Sequence, residues 1–167
     1  MRHVLSGVKI MARGFLFGLS LRDYVAGIWR IARQIDDRRA GTVGAFRGEG
    51  RFDAQGSGAC LYRESGILSV NGVQFPAART YRWNFDDGGA DIAFADGRPF
   101  HRLQPGGHGA TALHDCPPDL YRVRYAFETP DRWRQAWTVS GPRKDYTSES
   151  VFTRLHPPAD PVQSARQ

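Results

Sequence analysis

Apolar and polar residues alternate in short segments along most of the chain, and turn residues separate these segments. In residues 28–36, the alternation places Trp29, Ile31, Arg33 and Ile35 on one face. A period of two is typical of β-strands that bury one side. Further strands are predicted at residues 45–52, 59–64, 67–70, 79–85, 92–94, 100–103, 120–127, 133–140 and 147–155.

Turn signals join the predicted strands. Asn71-Gly72 favours a two-residue hairpin, and Asp96-Gly97 predicts a second tight turn, whereas residues 106–109 predict a loop. Residues 21–25 predict a single helical turn that Ser20 caps. Because so many strands have no long helix to cover their edges, we predict an all-β fold, an antiparallel β-barrel with a short N-terminal helical segment.

The length of 167 residues is typical of one domain. We predict a barrel domain over residues 21–156, preceded by an extension, residues 1–20, that is either helical or disordered. The tail from residue 157 to 167 should be mobile. The extension weakly resembles a signal peptide, but its cleavage pattern is poor and Met11 is an alternative start of translation. We therefore favour a segment that docks on the barrel over a secretion signal.

A formal net charge of +6 raises the question of anionic partners. The arginines alternate with apolar residues, as in residues 121–125, which indicates solvated strand faces and disfavours a nucleic-acid partner. Cys60 and Cys116 are too few for a disulfide framework, which favours a reducing compartment and a cytoplasmic location. No apolar run reaches the roughly 20 residues of a membrane span.

Gly27-Ile28-Trp29 at the start of the first strand and Arg154 in the last resemble the Gly-x-Trp and terminal arginine arrangement of the lipocalin, or calycin, superfamily. The resemblance implies that the arginine packs across the tryptophan and closes one end of a lipocalin-like barrel.

A second resemblance covers residues 21–155. The motifs that carry it are Gly27-Ile28-Trp29, Arg33-Gln34-Ile35-Asp36, Asp96-Gly97-Arg98-Pro99-Phe100-His101, His114-Asp115-Cys116, Pro118-Asp119-Leu120-Tyr121 and Gly141-Pro142-Arg143-Lys144-Asp145-Tyr146. Together they resemble a small bacterial family of unknown function with this barrel. The resemblance implies the fold and the importance of the motifs, and it implies no particular activity.

The loop at residues 141–146 concentrates charge between two predicted strands. Arg143 and Lys144 could hold the carboxylate or phosphate of a ligand at the mouth of the barrel. Alternatively, the loop is a plain turn in which Asp145 pairs with one of these cations and Tyr146 caps the core. The sequence leaves both interpretations open.

Two histidines offer further chemistry. His101, His114, Asp115 and Cys116 are the only set that could bind a metal, because a His-x-Cys step on a strand puts both side chains on one face. One histidine could also hold haem. Polar core residues that bond to Tyr121 or to the backbone are favoured over both, so we predict no metal and no cofactor.

Arg98 and His101 lie close to the tight turn at Asp96-Gly97. Acid-base catalysis by His101, with Arg98 stabilising negative charge, is chemically feasible. The favoured interpretation is a hairpin in which Arg98 pairs with Asp96 or Asp119. Whether the protein is an enzyme is therefore left open.

We predict that the barrel binds a small amphipathic or anionic ligand, whose apolar part lies among aromatic side chains. The rings of Trp83, Tyr125 and Trp133 either line this cavity or fill the barrel. The predicted ligand-binding residues are Arg98, His101, His114, Tyr121, Trp137, Arg143, Lys144 and Tyr146. One alternative is an enzyme that uses His101, His114 or Tyr146. The other is a module that recognises an acidic protein or nucleic acid, and a homodimer is compatible with each.

Overall fold

The computed structural model describes residues 16–156, which form one short helix and ten antiparallel strands. The helix is α1 (Leu21–Val25). The strands are β1 (Gly27–Asp37), β2 (Thr42–Gln55), β3 (Ala59–Val70), β4 (Val73–Asp86), β5 (Gly89–Phe94), β6 (Pro99–Leu103), β7 (Gly109–Cys116), β8 (Asp119–Thr129), β9 (Arg132–Ser140) and β10 (Asp145–His156). The predicted all-β fold with one short N-terminal helix is confirmed.

All ten strands belong to a single sheet in the order β6-β5-β4-β3-β2-β1-β10-β9-β8-β7. The sheet curls until its two ends, β6 and β7, lie side by side. No ladder of hydrogen bonds joins these two strands in residues 16–156, so the barrel is nearly closed and has one seam, the β6–β7 seam. In the same part of the chain, no helix has the length and apolar character required to cross a bilayer.

Helix α1 closes one end of the barrel. Ser20 caps it as predicted, because its Oγ accepts a hydrogen bond from the Asp23 amide at 3.2 Å. Tyr24 is fully buried, and its hydroxyl donates to the Thr129 carbonyl at 2.7 Å. Leu16 is also buried against this end, so the packed unit includes residues ahead of position 21. Residues 1–15, which are most of the predicted extension and include Met11, and the predicted tail at residues 157–167 lie outside the described residues.

Arg154 ties the helix to the first and last strands. Its guanidinium carbon lies 4.1 Å from the centroid of the Trp29 ring, and its Nη atoms donate to the Ala26 and Tyr24 carbonyls, each at 2.7 Å. The Trp29 indole donates to the Val25 carbonyl at 2.8 Å. The packing of the terminal arginine across the tryptophan, which the superfamily resemblance implied, is confirmed.

A layer of aromatic side chains fills the middle of the barrel. Trp133 and Phe152 stack with centroids 3.6 Å apart, and Tyr125 lies beside them. Tyr125 also contacts His101, whose Nε2 lies 2.8 Å from the phenolic oxygen, and it accepts a hydrogen bond from Gln135 at 3.0 Å. Only about 20 Å³ of space remains in this layer, which therefore forms the floor of the open half of the barrel.

Two strand predictions need correction. The segments at 59–64 and 67–70 are one strand, β3, because Gly66 does not interrupt the sheet. A β-carbon at this position would collide with the Arg47 carbonyl of β2, so the glycine allows the two backbones to approach closely. Residues 109–116 form β7, whereas the sequence indicated a strand only at the His-x-Cys step. The inward side chains Ala110 and Ala112 are too small to give a strong alternation.

Replacing Arg154 by methionine should destabilise the closed end. The change removes a cation–π contact and an ion pair with Asp131, and it leaves three backbone carbonyls without their donors, so we expect the free energy of unfolding to fall by about 2–4 kcal/mol. Urea denaturation at neutral pH measures this quantity. Arg124→Met, at an exposed outward position of β8, serves as the matched control and should change it by less than about 0.5 kcal/mol. Equal losses in both variants would contradict the assigned role.

The floor should make the protein sensitive to acid. Burial, with a smaller effect of His114, lowers the pKa of His101 from 6.5 to about 4. Below pH 6.5 the unfolded chain therefore binds a proton at His101 that the folded protein does not, and the free energy of unfolding should fall on the order of 2 kcal/mol as the pH drops towards 4. Urea denaturation at several pH values measures this fall. The free energy of unfolding should decline less with falling pH for His101→Gln than for the wild type, and the same decline in both proteins would refute the prediction.

Candidate ligand-binding site

Two adjoining cavities occupy the end of the barrel opposite α1. One has a volume of about 370 Å³ and is lined largely by rings; we call it the aromatic chamber. The other has a volume of about 360 Å³, and we call it the side chamber. Arg79, Tyr146 and Ser148 line both, so these three residues stand at their junction. Cavities of this size are typical of small-molecule sites.

An ionic cluster is buried beside the junction. Glu64 of β3 accepts two hydrogen bonds from Arg33 of β1, at 2.7 and 2.9 Å, and one from the Tyr62 hydroxyl at 2.7 Å. Arg79 of β4 pairs directly across the ladder from Glu64, and its Nε lies 2.6 Å from Oε1. The strand alternation points all four side chains inward, because each lies an even number of residues from an inward-facing ring on its own strand.

The cluster carries one net positive charge. Burial alone would raise the pKa of Glu64, but hydrogen bonds from Arg33, the charges of Arg79 and Arg33, and the Tyr62 hydrogen bond lower it to about 2. Glu64 is therefore ionised at neutral pH and compensates only one of the two arginines. The cation that remains has no carboxylate partner of its own within the cluster.

Arg79 is the arginine whose Nη groups donate to no acceptor among residues 16–156, because its only contact with Glu64 is through Nε. Arg33 uses its two Nη atoms on Glu64 and its Nε on the Ser150 hydroxyl, at 2.7 Å. The contact of Arg79 with Glu64 is ionic only, since the buried Nε–H does not point at an acceptor. Among residues 16–156, no acceptor takes a hydrogen bond from the Arg79 side chain, which lines both chambers.

Rings form the walls of the aromatic chamber. The Arg79 guanidinium carbon lies 5.7 Å from the centroid of the Tyr81 ring. Phe100 stacks on Tyr81 and on Trp137, with interplanar angles of 10° in both pairs. His114 meets the edge of Phe100, with centroids 4.9 Å apart. The chamber therefore presents a cation at its inner end and flat apolar surfaces along its sides.

The structure brings most of the predicted binding residues to one place. Those that line the aromatic chamber are Arg98, His114, Tyr121, Trp137 and Tyr146. His101 lies below them in the floor, and Lys144 stands behind Tyr121, to whose hydroxyl it donates a hydrogen bond at 2.6 Å. Arg143 is exposed and lines neither chamber. Their role in ligand binding stays a prediction.

The cations that the sequence singled out are engaged by carboxylates or lie in solvent. Arg98 donates to Asp96 at 2.7 Å, which confirms the hairpin interpretation, and its side chain is 75% exposed. Lys144 pairs with Asp119 at 2.8 Å. Asp145 pairs with neither Arg143 nor Lys144, although one of the two interpretations of this loop required such a pair. It lies at the start of β10 and accepts from Arg38 of the neighbouring β1–β2 turn at 2.9 Å.

The candidate metal ligands are separated. His114 and Cys116 both line the aromatic chamber, as the His-x-Cys spacing predicts, but His101 belongs to the floor. Within residues 16–156, no three histidine, cysteine, aspartate or glutamate side chains converge as a metal site. His101 is bonded to Tyr125 rather than to the expected Tyr121.

Sequence reasoning missed Arg79 and Glu64, the charged residues that shape the site. Arg79 begins the inward stripe that continues through Tyr81 and Trp83, and Glu64 follows Tyr62 on the inward face of β3. The available signal was a charged residue on the same face of a strand as buried rings. Such a charge needs a partner inside the barrel, so this signal would have identified Arg79 and Glu64 as a candidate pair.

The fold is similar to that of other barrels. An S-type phycobiliprotein lyase from Guillardia theta has a TM-score of 0.58 and 12% identity, and the match covers 81% of this chain and 90% of that one. A protein of the DUF3598 family from Nostoc punctiforme has a TM-score of 0.52 and 10% identity over 79% and 47% of the chains. A redesigned β-barrel, mFAP1, bound to DFHBI, has a TM-score of 0.45 and 11% identity over 80% and 97%.

At these identities the likeness shows the fold alone, a lipocalin-like barrel. Among curated proteins, none matches the sequence. The model of a family of unknown function, DUF6314, matches residues 25–154, a range that holds every strand whose residues line the two chambers. The resemblance to a family of unknown function is thereby confirmed, and the chain belongs to the DUF6314 family.

Proposed function

We propose that this protein binds a small amphipathic anion in the aromatic chamber, with Arg79 as the residue that holds the negative charge. One observation carries the proposal: the buried cluster contains two arginines and a single carboxylate, and the arginine with free donors lines the chamber. An anion placed there balances the charge of the cluster. It also accepts the hydrogen bonds that Arg79 does not make within the described chain.

The chemistry of the guanidinium group supports a carboxylate or a similar oxyanion. Arginine presents its donors in a planar fork that matches two oxygen atoms, and such charge-assisted pairs are stronger in a partly desolvated site than in water. The Arg79 side chain is 37% exposed and shares the Glu64 carboxylate with Arg33, so its charge is only partly compensated. A ligand that supplies a second negative charge gains a favourable ionic contact there.

The surroundings of Arg79 complete the proposed site. Tyr146 and Ser148 place two hydroxyl groups at the junction of the chambers, where they can bond to the head of the ligand. The rings of Tyr81 and Trp137, which line the same chamber, supply apolar area for its body. Since the likeness to the phycobiliprotein lyase concerns the fold, the ligand class proposed here rests on the residues of the chamber. We place this function in a reducing compartment such as the cytoplasm, with Cys60 and Cys116 as free thiols.

Arg79→Gln should abolish most of the affinity for an anion. Anilinonaphthalene sulfonate, an amphipathic anionic dye, serves as the probe in a fluorescence titration of the full chain. Loss of one charge-assisted interaction should weaken its binding by about 10- to 100-fold. Arg122→Gln, at an exposed outward position of β8, removes the same charge from the surface and should change the affinity less than about threefold at moderate salt. Equal dye affinity in wild type and Arg79→Gln would overturn the proposal.

Glu64→Gln should reveal the cost of placing two arginines together without a carboxylate, one of them buried (Arg33) and one half-buried (Arg79). Without its carboxylate, Arg33 and Arg79 remain next to each other in the barrel, and the free energy of unfolding should fall by about 3–5 kcal/mol in urea denaturation. Glu49→Gln, exposed on β2, should change it by less than about 0.5 kcal/mol. The dye should raise the melting temperature of Glu64→Gln more than that of the wild type, because its negative charge replaces the one that the variant lacks. If Glu64→Gln is as stable as the wild type in urea, this account of the cluster is wrong.

A further inference from the structure

Five rings surround the phenyl ring of Phe100. Tyr81 and Trp137 stack on it nearly in parallel, with centroids at 5.5 and 5.1 Å. His101 and His114 meet it edge to face at 4.6 and 4.9 Å. The fifth ring is tilted against it at 4.6 Å and belongs to Phe94. We call this arrangement the ring box; its dimensions and its chemistry suit one flat aromatic ring.

The ring box lies within reach of the anion site. Phe100 and Arg79 both contact Tyr81, since Phe100 stacks on that ring and the Arg79 guanidinium carbon is 5.7 Å from its centroid. Both residues also line the aromatic chamber. A ring that occupied the box could therefore carry an attached anionic group to Arg79 over a distance of about one ring width.

The backbone that carries Phe100 is weakly held. Phe100 lies on β6, a strand of five residues, at a bulge where the register with β5 shifts after Ile92. β6 pairs with β5 on one side only, and its other edge faces the β6–β7 seam. Moving Phe100 towards the seam breaks few ladder hydrogen bonds, because bulges and free edges are the places where pairing is already interrupted.

Phe100 also separates two spaces. Its side chain lines both the aromatic chamber of about 370 Å³ and the space of about 20 Å³ in the floor. The phenyl ring is half-buried, so it is neither a fixed part of the core nor a solvent-exposed group. If it leaves the box, the vacated volume joins the chamber directly.

We propose that Phe100 occupies the position of the ligand's own ring, so that the protein binds a flat aromatic carboxylate whose ring replaces Phe100 between Tyr81 and Trp137. This inference rests on the proposed function, because Arg79 holds the carboxylate. Two parallel walls select for flatness: a planar ring stacks on both, whereas a puckered ring of equal carbon number contacts each wall only at a few atoms. Phe100 is thus a specificity-determining residue as well as a plug.

The test compares two acids with the same carbon skeleton, naphthoate, which is flat and aromatic, and its saturated analogue decahydronaphthoate, which is puckered. Calorimetric titration of Phe100→Ala should give about tenfold tighter binding of naphthoate than the wild type, because the ring no longer displaces a side chain. Decahydronaphthoate should gain less than about threefold. Phe75→Ala, which removes a 40% exposed ring outside both chambers, should change neither affinity.

Phe100→Leu provides a second variant that keeps apolar volume in the box if the alanine variant folds poorly. It should shift naphthoate affinity in the same direction, by a smaller factor. Weaker naphthoate binding in both variants would overturn the inference by showing that Phe100 is a wall of the site. Equal gains for the two acids would overturn it as well, because they would indicate added volume without selection for a flat ring.

The same titrations separate this inference from the function on which it rests. If Arg79→Gln leaves the wild-type affinity for naphthoate unchanged, the proposed anion site is wrong. If Arg79→Gln weakens both acids but Phe100→Ala does not improve naphthoate over its saturated analogue, the anion site stands and the ring box is wrong.

Discussion

The open half of this barrel depends on the pairing of one buried carboxylate with two arginines. Glu64 lies between Arg33 of β1 and Arg79 of β4, so its charge joins strands that are not neighbours in the sheet. Such a cluster is stable inside a protein only when nearly every polar atom has a partner. Arg33 meets that condition and Arg79 does not. The Nη donors of Arg79, unpaired within the described chain, therefore lie at the junction of the two chambers, beside the hydroxyl groups of Tyr146 and Ser148.

The two halves of the barrel differ in how their interiors are filled. At the closed end, Trp29, Arg154 and the residues of α1 pack against one another, and the stack of Trp133 on Phe152 continues this packing to the floor. Dense packing of this kind supplies most of the apolar burial that holds a domain together. The open half can therefore keep side chains in arrangements that do not minimise its own free energy, as functional sites commonly do.

Sequence patterns predicted the fold well and the site partly, and the difference has a physical basis. The alternation of inward and outward residues depends only on positions adjacent in the sequence. It therefore predicts that Trp29, Ile31 and Arg33 face inward. The pairing of Arg79 with Glu64 depends on the register between β3 and β4, which no local pattern states. Arg143 drew attention because charged loop residues often bind ligands, yet the side chain is exposed. The sequence shows which cations are present, whereas the register between strands decides which of them meet a carboxylate inside the barrel.

The β6–β7 seam has a consequence for the size of what the barrel can admit. In a barrel whose strands are all joined by hydrogen bonds, the diameter is fixed, because widening the barrel breaks backbone hydrogen bonds. At the β6–β7 seam no such ladder joins the two described strands, so widening the barrel there breaks none of the hydrogen-bond ladders between the other strands. Phe100 on β6 and His114 on β7 contact each other across this seam, so side chains rather than backbone hydrogen bonds hold the wall of the aromatic chamber together there.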